Sequence, residues 1–231
     1  MTERSMPRIK VVEDGPYRVT GVPVVRMRKV VDDDAEVARW ERGPPIQVDG
    51  PYELCRCGQS GTNPLCDGVE KTIGFEGTET ADRSPTADRR SQYGDDPIVL
   101  SDDRTLCARA AFCETRLTDA WTLAQQTEDP ERRAMLTRMV ERCPSGRLAY
   151  HVAPDPAPVE EELPQEIAVV DDGPLWVRGR IPIESADGFE YEVRNRVTLC
   201  RCGQSKNKPF CDGSHVRARF TDRGEWAHDG S

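Results

Sequence analysis

The chain of 231 residues has no run near the roughly 18 consecutive apolar residues of a membrane helix, and it starts Met1-Thr2-Glu3-Arg4 without an apolar leader. A soluble, cytoplasmic protein is expected. Histidine is scarce, at three residues, and no Ser–His–Asp set or phosphate loop is visible, so little is available for acid–base chemistry and no enzyme is expected. Apolar residues make up 36% of the chain and the mean hydropathy is -0.67, too little for one large core. Eighteen Pro and eighteen Gly fit several small, loop-rich units that need staples. Lysine occurs only at 10, 29, 71, 206 and 208, and the net charge is -9, which excludes the basic footprint of nucleic-acid binding. An acidic surface suits a basic redox partner or simply keeps the chain in solution.

Cysteine is what the chain does have. Nine residues fall in threes, at 55, 57, 66, then 107, 113, 143, then 200, 202, 211. An odd number cannot all pair in disulfides, and the grouping points to metal.

The two ends of the chain are copies. Val11-Val12-Glu13-Asp14-Gly15-Pro16 matches Val169-Val170-Asp171-Asp172-Gly173-Pro174. Leu54-Cys55-Arg56-Cys57-Gly58-Gln59-Ser60 recurs unchanged from Leu199 to Ser205, and Pro64, Cys66, Asp67 and Gly68 recur as Pro209, Cys211, Asp212 and Gly213. The offset falls from 158 to 145, so about 13 extra residues enter the first copy, expected in a surface loop over Asp32 to Pro45. Polar residues 77–96 and the Pro- and Glu-rich 153–165 are expected as connections. Tyr17 to Val22 and Leu175 to Gly179 alternate as strands do. Asp129-Pro130-Glu131 opens a helix with Leu136, Met139 and Val140 on its apolar face, ending at Cys143-Pro144, and 147–152 reads as a strand.

The string Cys200-x-Cys202-x8-Cys211-Asp212-Gly213-Ser214-His215 resembles the CDGSH iron–sulfur domain family. The resemblance implies a [2Fe–2S] cluster held by Cys200, Cys202, Cys211 and His215. Three thiolates and a neutral imidazole leave the oxidised site at about -1, against about -2 for four thiolates, which favours adding an electron. A structural Cys3His zinc site is the alternative. The first copy reads Cys55-x-Cys57-x8-Cys66-Asp67-Gly68-Val69-Glu70, with Glu where the family has His. Glu70 is either the fourth ligand of a second [2Fe–2S] cluster or part of an Asp67-x-x-Glu70 capping box. His151 and His228 are not obvious substitutes for it.

Cys107-x2-Ala110-x2-Cys113 with the later Cys143-Pro144 resembles single-cluster bacterial ferredoxins, which carry Cys where this chain has Ala110. Three ligands imply a [3Fe–4S] cluster, or a [4Fe–4S] cluster with a fourth ligand of another kind. Glu114 to Thr122 lacks the Ala-Pro-x-x-Phe run of such ferredoxins, and a worn-out domain kept as a spacer is the bland reading. The tryptophans at 40, 121, 176 and 226 read as core or cluster-shielding groups, and the runs at Asp32 and Glu160 as solvated faces.

The expectation is an α+β protein: a CDGSH-like unit over 1–76, a ferredoxin-like unit over 97–153 and a second CDGSH-like unit over 166–224. One-electron transfer to a redox partner protein is the expected role, with cluster storage and donation to an apo-acceptor, or a zinc-stapled interaction protein, as alternatives. Because CDGSH domains pair as dimers, the resemblance also implies a monomer whose two copies form an internal pseudo-dimer.

Overall fold

Residues 6–31 and 37–222 are described by the structure, a computed structural model. Trp226, His228 and the acidic run at Asp32 lie outside them. The first copy contributes β1 (Arg8–Val11), β2 (Tyr17–Thr20), β3 (Val24–Val30), β4 (Arg39–Ile46), β5 (Tyr52–Leu54) and the short α1 (Val69–Ile73). The middle unit contributes β6 (Ser91–Tyr93), β7 (Ile98–Asp102), α2 (Ala120–Ala124), α3 (Pro130–Glu141) and β8 (Leu148–Val152). The second copy supplies β9 (Glu166–Val170), β10 (Leu175–Arg178), β11 (Ile183–Glu184), β12 (Arg196–Leu199) and α4 (Ser214–Arg217). Small sheets at both ends and a helix-bearing middle make the fold α+β.

The two copies do not fold separately; each lends the other a strand. The sheets run β11-β1-β2-β5 and β12-β10-β9-β3-β4, so the first holds one strand of the second copy and the second holds two of the first. Both exchanged strands pair parallel with their hosts, Ile9 opposite Ile183 and Val24 opposite Ile167. The crossings are sealed alike: the Ile9 N–H donates to Pro182 O and the Ile167 N–H to Pro23 O, each at 2.9 Å. Alternation puts Ile9, Val11, Val19 and Leu54 in the same buried cluster as Ile167, Val169, Val177 and Leu199. Neither copy buries this apolar face alone.

One expectation is corrected. Residues 39–46 are not a surface loop but β4, paired antiparallel with β3. Pro44 and Pro45 are compatible with a strand here because β4 is the sheet's outer edge, where a missing N–H costs no ladder bond. The segment 77–96 also carries structure. It includes β6, the edge of the middle sheet, and the N–H groups of Thr80 and Ala81 both donate to Lys208 O.

In the middle unit Asp129 caps α3 by accepting from the N–H groups of Glu131 and Arg132, and Leu136, Met139 and Val140 are buried as the sequence pattern requires. They pack with Ile98, Leu100 and Leu148, and Val37 of the first copy joins this cluster. The unit also rests on the outer face of the β12-to-β4 sheet. There Trp40 meets Phe112 and Trp176 at ring separations of 4.6 and 5.1 Å and donates to Arg142 O at 2.8 Å.

The two cysteine loops approach one another at two glycines. A Cβ on Gly58 (φ +78) would lie 2.8 Å from Cys202 O, and one on Gly203 (φ +75) 2.5 Å from Cys57 O. Gly50 (φ +59) faces open space. Gly50→Ala should therefore cost about 1–2 kcal/mol, the left-handed conformation alone. Gly203→Ala adds a backbone overlap and should lower the urea midpoint clearly further; equal losses in the two variants would show that the copies are not in contact there.

Candidate metal centres

The two cysteine loops are built bond for bond alike. Cys55 N–H donates to Pro64 O and Cys200 N–H to Pro209 O, at 2.9 and 2.8 Å. Ser60 donates to Leu65 O and Ser205 to Phe210 O, both at 2.6 Å. Asp67 accepts from the N–H groups of Gly61 and Val69, and Asp212 from those of Lys206 and Ser214. The aspartate of Cys-Asp-Gly thus ties the loop to the start of the following helix. Gly68 and Gly213, at φ of 86 and 80, turn the chain so that residues 70 and 215 come back over the cysteines.

Each site presents its donors as two pairs. In the second site Cys200 and Cys202 sulfurs are 3.8 Å apart, and Cys211 Sγ is 3.4 Å from His215 Nδ1. In the first, Cys55 and Cys57 sulfurs are 3.6 Å apart and Cys66 Sγ is 3.3 Å from Glu70 Oε2. Bonds of about 2.3 Å to sulfur and about 2.0–2.1 Å to nitrogen or oxygen at a tetrahedral metal separate two ligands by about 3.5–3.8 Å. Each pair therefore has the spacing of ligands on one metal. Among the described residues no three such side chains are gathered closely enough to hold a single ion.

Glu70 is 5% exposed and stands where His215, 8% exposed, stands in the other copy. It does not cap α1: Gly68 is the cap residue, with no side-chain cap bond. The Asp67 carboxylate takes the Val69 N–H as one half of a capping box would, but the Glu70 carboxylate turns inward to Cys66, so the other half is not formed.

The surroundings penalise bare thiolates. Burial foremost pushes the Cys57 thiol up to about 11 and that of Cys66 up to about 12, with Glu70 adding to both. It pushes Cys113 up to about 11 and Cys211 well above its ordinary value. Buried thiolates grouped in this way call for a compensating cation. Burial and then Arg201 lower the pKa of His215, which keeps its imidazole neutral and able to ligate. Backbone N–H groups also face sulfur, Gly58 to Cys55 at 3.3 Å and Gly213 to Cys211 at 3.4 Å. The donor set, its pairing and its burial fit an iron–sulfur core.

Sequence reasoning missed several supporting residues. The arginine inside each Cys-Arg-Cys is buried: Arg56 donates to Val12 O and Gly77 O, Arg201 to Val170 O and Gly173 O. Arg201 also pairs with Asp222. Recurrence of the arginine in both copies was the available signal. Tyr17 reaches across from the first copy, its hydroxyl donating to Cys200 O at 2.8 Å and Pro209 O at 2.9 Å. Its counterpart by the repeat is Leu175, so this brace exists on one side.

The middle cysteines are partly exposed and line one small cavity with Ala110, Phe112, Pro144, Ser145 and Arg147. Arg109 and Ala111 sit at φ of 55 and 53, which winds the 107–113 loop around the cavity. Lys29 holds this loop by donating to Ala110 O and Ala111 O, both at 2.8 Å. The cavity's one hydroxyl, Ser145, lies 3.6 Å from Cys143 Sγ. Arg147 donates to Cys107 Sγ at 3.1 Å and pairs with Asp102 at 2.6 and 2.8 Å, while Trp121 Nε1 donates to the same carboxylate. No sequence pattern marked Arg147 or Asp102.

The donor sets fit iron–sulfur sites, and family comparison assigns that class. A family described as iron-binding zinc finger, CDGSH type, matches residues 14–69 and 172–216, and one described as a divergent 4Fe-4S mono-cluster matches residues 93–153. The chain is an iron–sulfur protein with two CDGSH-type domains flanking a divergent single-cluster domain. Comparisons with curated proteins and with solved structures found no match. Among the described residues no helix is long and apolar enough to cross a membrane.

Asp102 is 1% exposed and Arg147 7%. Asp102→Ala should therefore cost about 3–5 kcal/mol by stranding a buried cation, read as a lower denaturation midpoint. The double substitution Asp102→Ala, Arg147→Met should recover part of it. A single variant as stable as the parent would mean that the pair does not support the Cys107 loop.

Proposed function

We propose that the protein is a non-enzymatic one-electron carrier with [2Fe–2S] clusters in the two CDGSH-type sites and a [3Fe–4S] cluster in the middle. When bound, these clusters supply reversible one-electron oxidation and reduction. The observation that carries the reading is the paired ligand geometry, repeated in both copies and differing at one donor, Glu70 against His215. For the middle site, the cavity lining offers three thiols, with methyl at position 110 and its only hydroxyl beside Cys143. The protein's own residues bind, exclude water and set charge: the ligands of the second site are buried, and Arg201, Tyr17 and the loop N–H groups hold them in place. The shared core and exchanged strands support a monomer acting as an internal pseudo-dimer, and nine free thiols suit the reducing cytoplasm. Partial exposure of Cys66 favours a second reading, cluster donation from the first site to an apo-acceptor protein.

Anaerobically purified protein should contain iron and acid-labile sulfide and show reducible EPR signals. Zinc without sulfide would sink the proposal, and fast cluster transfer without reversible reduction would favour donation. The oxidised middle site should give an S = 1/2 [3Fe–4S] signal, with Ala110→Cys converting it towards [4Fe–4S]. An EPR-silent oxidised middle site with a [4Fe–4S] signal on reduction would show a fourth ligand. Because a carboxylate leaves the oxidised first site at about -2 and an imidazole at about -1, Glu70→His should raise the first site's potential towards that of the second. If both Glu70→His and Glu70→Ala leave its spectrum and potential unchanged, Glu70 is not a ligand.

A further inference from the structure

In the sequence the sites run first, middle, second. In space the order differs. The first and second loops meet at Gly58 against Cys202 O and Gly203 against Cys57 O. The second loop also meets the middle one. The Arg109 side chain lies over Gly213, where a Cβ would come within 2.4 Å of it, and Asn207 Nδ2 donates to Thr105 O at 3.0 Å. Arg196, 3% exposed on the strand leading into Cys200, donates to Val140 O and, at 2.9 Å, to Cys143 O, the carbonyl of a middle-site ligand. Arg194 donates to Ser145 O at 3.2 Å. The second site is thus packed against both others.

Burial follows the same order. Cys200, Cys202, Cys211 and His215 are all buried, between 2 and 8% exposed. Cys107, Cys113 and Cys143 in the middle site are partly exposed, and so is Cys66 in the first site, beside the buried Cys55, Cys57 and Glu70. A carrier protein can approach the first and middle sites more closely than the second.

We infer that the three sites form one electron path with two ports, in which the second CDGSH-type site is the internal station between the first and the middle site. The inference rests on the electron-transfer function proposed above. With clusters held by the named residues, an electron given up by a reduced one-electron carrier at one port would pass by way of the second site to an oxidised carrier at the other. Each step oxidises one centre and reduces the next by one electron, and no atom or proton need move with it. The protein then bridges two carriers rather than shuttling for one.

Rapid-freeze EPR of the fully loaded chain, mixed with substoichiometric reduced methyl viologen as the probe, separates the possibilities. The first- and middle-site signals should change in a phase whose rate rises with viologen concentration. The second-site signal should follow in a phase independent of it. In Cys211→Ala, which removes the internal station, both outer sites should still take up electrons while exchange between them loses its concentration-independent phase. The parent protein needs no variant for the first result, so a misfolded Cys211→Ala does not remove the test. A second-site signal that appears in the viologen-dependent phase overturns the relay and leaves the electron-carrier function standing. A chain whose sites accept no electron overturns both.

Discussion

The reciprocal strand exchange between the two copies is the constraint from which the cluster geometry follows. β3 can pair with β9, and β11 with β1, only if the copies face one another about a local twofold, and the 2.9 Å bonds at Pro182 and Pro23 fix that arrangement at both crossings. The common apolar cluster then covers a face that neither half could bury alone, which matters for units this small. With the sheets so placed, both cysteine loops emerge at the junction, and only glycine at 58 and 203 lets their backbones touch.

Within that symmetry the copies have diverged at the positions that set charge and rigidity. Glu70 stands in the first copy where His215 stands in the second. Tyr17 braces the second cysteine loop, and its counterpart Leu175 has no hydroxyl with which to do the same. Asp222 neutralises Arg201, whereas by the repeat its counterpart in the first copy is Gly77, whose carbonyl accepts from Arg56. The second site is the more braced of the two, with all four of its candidate donors buried, whereas the first has one partly exposed donor, Cys66.

The middle unit lies between the two copies in sequence and packs against both. It is fastened by buried and half-buried cations donating to backbone carbonyls: Lys29 to its cysteine loop, Arg196 to the segment bearing Cys143, and Arg142 to Val37 O and Ala38 O in return. A guanidinium satisfies several carbonyls at once, which suits a surface where loops rather than ladders meet. Arg147 and Asp102 do the same inside the unit, anchoring the Cys107 sulfur through a buried pair.

Ligand chemistry was legible in the sequence because it is local. Cysteine spacing, the Asp-Gly turn and the residue four positions beyond the third cysteine lie on one loop, so their identity fixes what can bind. The α3 helix was equally legible, since Asp129, Pro130 and the apolar spacing act within single turns. The strand at 39–46 was not, because Pro44 and Pro45 argue against a strand unless it is known to lie at an edge, and edge position is decided by pairing with β3. Nor were Tyr17, Arg147 and Arg196, whose partners are 183, 45 and 53 residues away. By itself the sequence determined which atoms can hold iron. Only the tertiary structure decided which site is central and which is exposed, because that order depends on strands exchanged between distant segments and not on the spacing of any motif.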